Sequence, residues 1–125
     1  MIRAGEYASF EDACARFRWN VPERYNLAEA VCGRHAGDPA AVALIYEDAT
    51  GRARPYTFAE LDRRGSRFAN VLAGLGIGRG DRVALIMPQR PEVLVAHLGI
   101  CKLGAIAVPL SKLYAAASLE YRLGH

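Results

Sequence analysis

Polar side chains follow two apolar segments that the sequence predicts to be β-strands. Gln89 and Arg90 come after Pro88 at the end of the first segment, and Ser111 and Lys112 follow the second. In open α/β sheets, ligands bind outside the carboxyl ends of the strands, where the loops converge. These residues are therefore the candidates for a ligand-binding wall. The alternative for each is an ordinary strand-to-helix loop, which is the more frequent setting for such residues.

A glycine-rich segment, Gly74-Leu75-Gly76-Ile77-Gly78-Arg79-Gly80, resembles a nucleotide-binding loop in composition. A dinucleotide fingerprint must follow a strand and begin a helix, because the helix N-terminus holds the pyrophosphate. Here the glycines follow a predicted helix and precede a predicted strand, which is the reverse order. The segment is therefore interpreted as a structural turn. The sequence also contains neither the G-x-x-x-x-G-K-[ST] phosphate loop nor the G-x-S-x-G hydrolase motif.

His97 and Cys101 lie four residues apart on one predicted helix and have the spacing to share a metal ion. Zinc takes three or four ligands, and the sequence shows no second pair. Both residues are therefore interpreted as packed in the core. His35 is interpreted as a helix C-terminal residue rather than a catalyst, because a protonated imidazole interacts favourably with the helix dipole there.

Glu60 and Asp62 are two residues apart on a predicted helix, so they point in different directions and do not form a general acid/base pair. Glu60 instead has capping-box spacing from Thr57, in which the hydroxyl and the carboxylate each satisfy a free backbone donor. This spacing predicts a structural role for Glu60.

Hydrophobic periodicity and capping residues predict a mixed order of helices and strands. The first predicted elements are a helix capped by Ser9, a helix from Leu27 to about Arg34 capped by Asn26, and a hairpin of strands 42–46 and 53–57. A longer helix follows, capped by Thr57 and ended by Gly74 and Gly76. The last predicted elements are a strand over 82–87, a helix from Glu92 to about Leu103 between Pro91 and Gly104, a strand over 105–109 and a helix capped by Ser118. One face of the longest helix carries Phe58, Leu61, Gly65, Phe68 and Leu72 at steps of three and four.

The strand, helix and strand within 82–109 form a βαβ unit, which implies parallel strands joined by a right-handed crossover. The predicted architecture is therefore α/β. Both strands have the composition of buried strands, and the helix between them is apolar nearly all round, so we expect it between two layers. A parallel sheet with both faces covered needs more strands than this sequence supplies. We therefore expect an incomplete sheet in a chain that is cut short inside a domain.

Composition and charge exclude several functional classes. The 125 residues are 52% apolar and 23% charged, with a net charge of +3, which is typical of a globular chain. The basic residues are scattered among acids, whereas a nucleic-acid binder concentrates them on one face. No uncharged apolar run reaches about 18 residues, so no membrane span is expected. The N-terminus lacks a secretory signal, and Cys14, Cys32 and Cys101 form neither a disulfide framework nor a zinc motif, so a reducing cytoplasm is expected.

Four blocks along the chain resemble the early part of the adenylate-forming (AMP-binding) enzyme superfamily. They are Tyr56-Thr57-Phe58-Ala59-Glu60-Leu61, Arg67-Phe68-Ala69-Asn70-Val71-Leu72, Gly80-Asp81-Arg82-Val83-Ala84-Leu85 and Lys102-Leu103-Gly104-Ala105-Ile106-Ala107-Val108-Pro109-Leu110, the last being similar to the family block K-x-G-A-x-x-x-P-L. The segments 34–38 and 42–47 resemble the acyl-CoA synthetase branch, near the acetyl- and medium-chain enzymes. The resemblance implies that 1–25 is an N-terminal segment and that 26–125 is part of the large N-terminal domain, truncated at its C-terminus.

This resemblance implies a two-step ligase that uses ATP and Mg²⁺. A carboxylic acid attacks the α-phosphate of ATP to give acyl-AMP and pyrophosphate, and the thiol of CoA then displaces AMP. In the family the phosphate loop, the segment that stacks adenine and holds the metal, the ribose-binding Asp and the mobile Lys all come later in the sequence. The resemblance therefore assigns no catalytic, cofactor-binding or metal-binding residue to this chain. We expect the chain by itself to be inactive.

Two other functional classes stay open at this point. A truncated stand-alone α/β module would bind a partner without catalysis. A dinucleotide-binding domain is disfavoured by the order of the glycines. The sequence also leaves open which acid is the substrate and whether CoA or a carrier protein accepts the acyl group.

Overall fold

Short helices and strands alternate along the part of the chain that the structure, a computed structural model, describes, which is residues 6–124. The elements are α1 (Phe10–Arg16), α2 (Leu27–Val31), a 3₁₀ turn (Gly33–His35), β1 (Val42–Glu47), β2 (Ala53–Thr57), α3 (Phe58–Gly74), β3 (Arg82–Ile86), α4 (Pro91–Leu103), β4 (Ile106–Leu110) and α5 (Ala116–Gly124). This order confirms the predicted α/β class.

The strands pair as the sequence predicts. β1 and β2 form an antiparallel hairpin. β3 and β4 run parallel, with Arg82 opposite Ile106 and Ile86 opposite Leu110. Within residues 6–124 each sheet has two strands. The structure therefore contains the predicted βαβ unit in an incomplete sheet.

Capping residues account for most of the helix starts. The backbone N–H groups of Asp12, Glu29 and Glu60 donate to the side-chain oxygens of Ser9, Asn26 and Thr57, over 3.2, 3.3 and 3.2 Å. α4 begins at Pro91, where the missing N–H has no helical partner to lose. It ends before Gly104, whose φ of 71° lies in the left-handed region that glycine adopts readily.

Two helices differ from their predicted bounds. α2 ends at Val31 rather than near Arg34, and the chain continues into the 3₁₀ turn. Cys32 is buried there, and its Sγ donates to the Phe58 carbonyl over 3.5 Å, so tertiary packing sets its non-helical geometry. α5 begins at Ala116, so Ser118 lies inside the helix and does not cap it. In the sequence, a serine in the first turn of a helix looks like a serine at the N-cap, so the predicted start of α5 was wrong.

Two hydrophobic clusters form the core, and α4 contributes to both. Leu98 of α4 packs with α2, β2 and α3 in the first cluster, whose buried members are Ala28, Cys32, Tyr56, Leu61 and Leu98. Ala96 and Ile100 of α4 pack with α3 and β3 in the second, whose buried members are Leu72, Leu85, Ala96 and Ile100. This position agrees with the expected place of α4 between two layers.

The backbones of α3 and α4 approach closely where two glycines meet. A Cβ on Gly99 would lie 2.8 Å from Phe68 Cδ1 and 2.9 Å from the carbonyl oxygen of Gly65. A Cβ on Gly65 would lie 2.9 Å from Leu98 Cβ. Real Cβ atoms do not approach other atoms so closely, so the crossing of these helices requires glycine at both positions.

The expectation that β3 and β4 are buried strands is wrong for their outward side chains. Leu85 is buried, but Ile86 and Ile106 expose 40% and 51% of their surface. Val83, Leu85 and Ala107 face the cluster that contains α4, and the alternate residues face the other way. α4 covers only one face of this sheet. The strands therefore carry more apolar side chains than residues 6–124 bury.

We predict that Gly99→Ala destabilises the chain. Separating the helices to accept the Cβ costs about 1–3 kcal/mol, which exceeds the gain in helix propensity of about 0.5–1 kcal/mol. Gly74→Ala is the matched control, because a Cβ at this α3 position meets no atom within 4 Å. It should be neutral or slightly stabilising. Urea unfolding followed by circular dichroism measures both, and equal effects would contradict the close approach.

We also predict that the thiol of Cys32 reacts more slowly than the exposed thiol of Cys14. Burial raises the pKa of Cys32, and the nearby Asp62 carboxylate raises it further, while Lys102 opposes both. The thiolate is the reactive form, so the pH dependence of iodoacetamide labelling should shift to higher pH at Cys32. Peptide mass spectrometry resolves the sites. The difference should vanish in denaturant, and its persistence there would show that folding is not its cause.

Candidate functional site

The carboxyl ends of β3 and β4 lie side by side. Because Ile86 is opposite Leu110, the loops that follow the two strands start at the same edge of the sheet. A cleft of about 330 Å³ lies there, lined by Met87, Pro88, Gln89, Leu110, Ser111, Lys112 and Leu113. The structure thus brings together four of the predicted wall residues, Pro88, Gln89, Ser111 and Lys112. We call this cleft the strand-end cleft.

The loop after β4 is shaped by Ser111. Its Oγ accepts a hydrogen bond from the N–H of Leu113 over 3.1 Å, and its carbonyl accepts one from the N–H of Tyr114 over 3.2 Å. This local turn holds Ser111 at the edge of the cleft and leaves the intervening Lys112 exposed. The position of Lys112 is therefore set by the backbone of the turn.

The loop after β3 is short and lies between two prolines. Pro88 and Pro91 restrict the backbone on either side of Gln89 and Arg90. Arg90 occupies the N-cap position of α4 in an extended conformation, with φ −142° and ψ 160°. The loop places Gln89 among the residues that line the cleft, together with Ser111 and Lys112.

The strand-end cleft offers polar binding groups on an apolar base. The residues that line it include Lys112, Ser111 and Gln89, which carry an ammonium, a hydroxyl and a carboxamide, and the apolar Met87 and Leu110. Such a set suits a ligand with an anionic or strongly polar end, because the lysine supplies a positive charge and the amide and hydroxyl orient the ligand. The residues of the strand-end cleft are therefore suited to binding a ligand.

Arg90 lies apart from the other wall residues. It lines a neighbouring apolar cleft of about 340 Å³, together with Leu44, Tyr46, Gln89, Pro91, Val93, Leu94 and His97. Its Nε lies 3.3 Å from the Glu92 carboxylate. The prediction that Arg90 shares a wall with Ser111 and Lys112 is therefore wrong, since Arg90 pairs with Glu92 and lines the cleft beside β1 instead.

His97 and Cys101 both contact other parts of the fold. The Nδ1 of His97 lies 2.8 Å from the Val93 carbonyl oxygen, one turn back along α4. Cys101 packs against the first hydrophobic cluster. Within residues 6–124 no group of three or more His, Cys, Asp or Glu side chains is placed to hold a metal ion. His35 stacks on Phe58, with 4.9 Å between ring centroids.

The glycine-rich segment is a turn, as its order predicts. Gly76 and Gly80 have φ values of 85° and 89°. The N–H of Gly78 donates to Asp81 Oδ2 over 2.8 Å, and that of Gly80 donates to the carbonyl of Gly104 over 3.0 Å. Because these backbone donors are used within the fold, they do not form a phosphate cradle.

Glu60 has a structural role that differs in part from the predicted one. Its backbone N–H completes the Thr57 cap. Its carboxylate contacts Arg54 at 3.0 Å and Arg64 at 2.7 Å, and both guanidinium groups lie over the ring of Tyr56. The carboxylate thus joins the hairpin to α3, an arrangement that capping-box spacing does not predict.

A polar cluster near the C-terminal end of α4 was missed by sequence reasoning. Lys102 Nζ lies 2.7 Å from Asp62 Oδ1, which pairs α4 with α3. The amide of Asn26 donates to the carbonyls of Cys101 and Lys102 over 3.2 and 3.3 Å. A cleft of about 600 Å³ lies beside this cluster, between residues 22–26 and the turn around Gly104. The sequence indicated only that Asn26 caps α2. It gave no indication that the amide of Asn26 also binds the carbonyls of α4.

Comparison with known proteins gives one family. A family model described as AMP-binding enzyme matches residues 29–125. The chain is 40% identical over 103 residues to the acetyl-coenzyme A synthetase of Phycomyces blakesleeanus, covering 81% of this chain and 15% of that protein. It is 39% identical over 120 residues to acetyl-coenzyme A synthetase 2 of Zygosaccharomyces bailii, covering 94% and 18%. The chain thus spans less than a fifth of the length of these relatives.

Solved structures share the fold. The structure of a Brucella canis acyl-CoA synthetase matches with a TM-score of 0.82 and 30% identity, covering 92% of this chain and 23% of that one. A Mycobacterium tuberculosis fatty acyl CoA synthetase matches with a TM-score of 0.69 and 36% identity, covering 78% of this chain and 19% of that one.

No helix within residues 6–124 has the length and apolar composition needed to span a membrane.

We predict that Lys102→Met destabilises the chain, because it leaves the buried Oδ1 of Asp62 without its cation. The expected loss is about 1–3 kcal/mol. Arg16→Met is the control, since it removes the exposed ion pair with Asp12 and should cost less than about 1 kcal/mol. Replacing both partners, Asp62→Leu with Lys102→Met, should recover much of the loss. Urea unfolding measures each, and a double variant no more stable than Lys102→Met would contradict the pairing.

Proposed function

The chain belongs to the AMP-binding enzyme family, and on that premise we propose that it is the N-terminal part of an AMP-forming acyl-CoA synthetase. The parent enzyme joins a carboxylic acid to CoA. The acid attacks the α-phosphate of ATP, forming acyl-AMP and releasing pyrophosphate, and the CoA thiol then displaces AMP. The observation that carries this proposal is the similarity of nearly the whole chain to acetyl-coenzyme A synthetases in sequence and to an acyl-CoA synthetase in fold.

The described residues contain no cluster of three metal ligands. Within residues 6–124 no group of three or more His, Cys, Asp or Glu side chains is placed to hold a metal ion. In our proposal no catalytic, cofactor-binding or metal-binding residue is assigned to this chain. ATP and Mg²⁺ are bound by other parts of the parent enzyme, and the chain by itself is inactive.

The contribution of this chain is to build one wall of the large domain. β3 and β4 carry the strand-end cleft at their carboxyl ends, where ligands of α/β sheets bind. Gln89, Ser111 and Lys112 supply polar groups there for an anionic part of a substrate. We propose that the domain begins near residue 26, and the start of the family match at residue 29 supports this. The enzyme is proposed to be cytoplasmic, with no nucleic acid among its partners.

Acid-dependent exchange of labelled pyrophosphate into ATP tests the proposal. Two proteins are compared: the 125-residue chain and the polypeptide encoded by the same gene when it is read in frame beyond it. The longer protein should catalyse exchange with acetate or a longer aliphatic acid. The short chain should give no more exchange than a reaction without acid, because the groups that bind ATP are absent from it.

Each outcome has a separate meaning. Exchange by the 125-residue chain alone would contradict its assignment as a non-catalytic part. Absence of exchange by a folded longer protein, over acids from acetate to long-chain fatty acids, would contradict the ligase function. Adding CoA after the first step should release AMP and form an acyl thioester, which distinguishes a CoA synthetase from an enzyme that loads a carrier protein.

A further inference from the structure

A second cleft, which we call the hairpin cleft, lies between β1 and the first turns of α4. It has a volume of about 340 Å³, and its apolar lining consists of Leu44, Tyr46, Pro91, Val93 and Leu94. Ligand pockets have volumes of about 300–1,000 Å³ and are lined mainly by apolar side chains with a few polar groups. The hairpin cleft therefore has the size and the lining of a site for a small ligand.

The base of the hairpin cleft is held in place by the core. Leu44 and Tyr46 are partly buried and pack against the first hydrophobic cluster, whereas Ile45 between them exposes 70% of its surface. Alternate residues of a strand point to opposite faces, so β1 directs Leu44 and Tyr46 to the same side. On α4, Leu94 exposes 37% of its surface. Apolar surface is thus available to a ligand on a base that is already packed.

Arg90 determines the charge of the hairpin cleft. Of the residues within 6–124 that line this cleft, Arg90 is the one arginine or lysine, and none is an aspartate or glutamate. Arg90 contacts Glu92 through Nε over 3.3 Å, with both side chains exposed, and such pairs contribute little in water. A guanidinium has five N–H donors and binds a carboxylate through two parallel hydrogen bonds. An anionic carboxylate is therefore the ligand group that Arg90 favours.

The start of α4 adds to the attraction for an anion. Arg90 is the N-cap residue of this helix, and its side chain makes no capping hydrogen bond. Pro91, the first residue of α4, also lines the hairpin cleft. The N-terminal end of a helix dipole is positive. A carboxylate bound at Arg90 therefore lies beside a second source of positive potential.

We propose that the hairpin cleft binds a monocarboxylate with an apolar body. The carboxylate pairs with Arg90, and the hydrocarbon part packs against Leu44, Val93 and Leu94. At about 30 Å³ for each water-sized group, the cleft holds on the order of ten non-hydrogen atoms, which is the size of octanoate. Binding there needs neither ATP nor CoA, so this inference goes beyond the proposed ligase reaction and does not depend on it.

Photoaffinity labelling tests the site on the full polypeptide that the gene encodes. The probe is an octanoate analogue that carries an alkyl diazirine, used without ATP, and peptide mass spectrometry locates the labelled residues. We expect labels on Leu44, Tyr46, Val93 or Leu94. Unlabelled octanoate should compete. Octanamide, which lacks the charge, and acetate, which lacks the apolar body, should not compete at the same concentration.

Two substitutions change the charge in opposite directions. Arg90→Gln should lower labelling of the hairpin cleft about tenfold or more, because a hydrogen-bonded ion pair is lost. Glu92→Gln should raise labelling, because it removes the carboxylate that competes for Arg90. Arg63→Gln is the matched control, since Arg63 is an exposed arginine of α3 outside the cleft. It should leave labelling unchanged.

The wild-type protein alone can overturn the proposal, so the test does not depend on the folding of a variant. Absence of labels from 44–46 and 90–97 would overturn it, as when polypeptide beyond residue 124 fills the cleft. Equal competition by octanamide would overturn it too, because the carboxylate would not be recognised. Labelling that is unchanged in a folded Arg90→Gln protein would have the same meaning.

Pyrophosphate exchange measured on the same preparation separates this proposal from the ligase function. A labelled hairpin cleft in a folded but inactive protein would support the carboxylate site and contradict the ligase function. An active protein without labels in the hairpin cleft would do the reverse.

Discussion

The close crossing of α3 and α4 at Gly65 and Gly99 is the constraint on which the remaining structure depends. Both helices contribute to both hydrophobic clusters, and α4 lies between β3 and β4 in the chain. Its distance from α3 therefore determines how the hairpin side of the molecule meets the parallel sheet. A helix pair with side chains at the crossing would lie further apart. Leu98 and Ile100 could not then fill their respective clusters together.

Polar contacts secure the far end of α4. The ion pair of Lys102 with Asp62 joins α4 to α3, and Asn26 ties the residues before α2 to the last carbonyls of α4. Carbonyls in the last turn of a helix lack the usual intrahelical donor. The carbonyl of Cys101 accepts from the N–H of Gly104, and the amide of Asn26 adds a further donor at this end of α4. One side chain thus caps the start of α2 and the end of α4. The strand that follows, β4, leaves α4 from a fixed position.

The register of the parallel sheet determines where its loops lie. Ile86 is opposite Leu110, so the loops that follow β3 and β4 start at one edge. The strand-end cleft is a consequence of that register. The outer face of the same sheet carries apolar residues, among them Ile86 and Ile106, that the rest of residues 6–124 leaves exposed.

Local signals determined much of the structure. Caps at Ser9, Asn26 and Thr57, the glycine turn, the hairpin and the βαβ unit could all be predicted from the sequence, because each depends on residues within a few positions or on a regular period. Four of the predicted wall residues lie together because parallel pairing alone brings their loops to one edge. Only the tertiary structure decided the separation of Arg90 from that wall, the early end of α2 at Cys32, and the pairing of Lys102 with Asp62. Each of these three features depends on contact between elements that are distant in the chain. The hydrogen bonds of Asn26 to the carbonyls of α4 are another example. The spacing of residues within one element carries no information about such partners. The predicted burial of β3 and β4 was too high for the same reason. The apolar composition of a strand shows only that its side chains could be buried, whereas the elements packed against the strand decide which of them are buried.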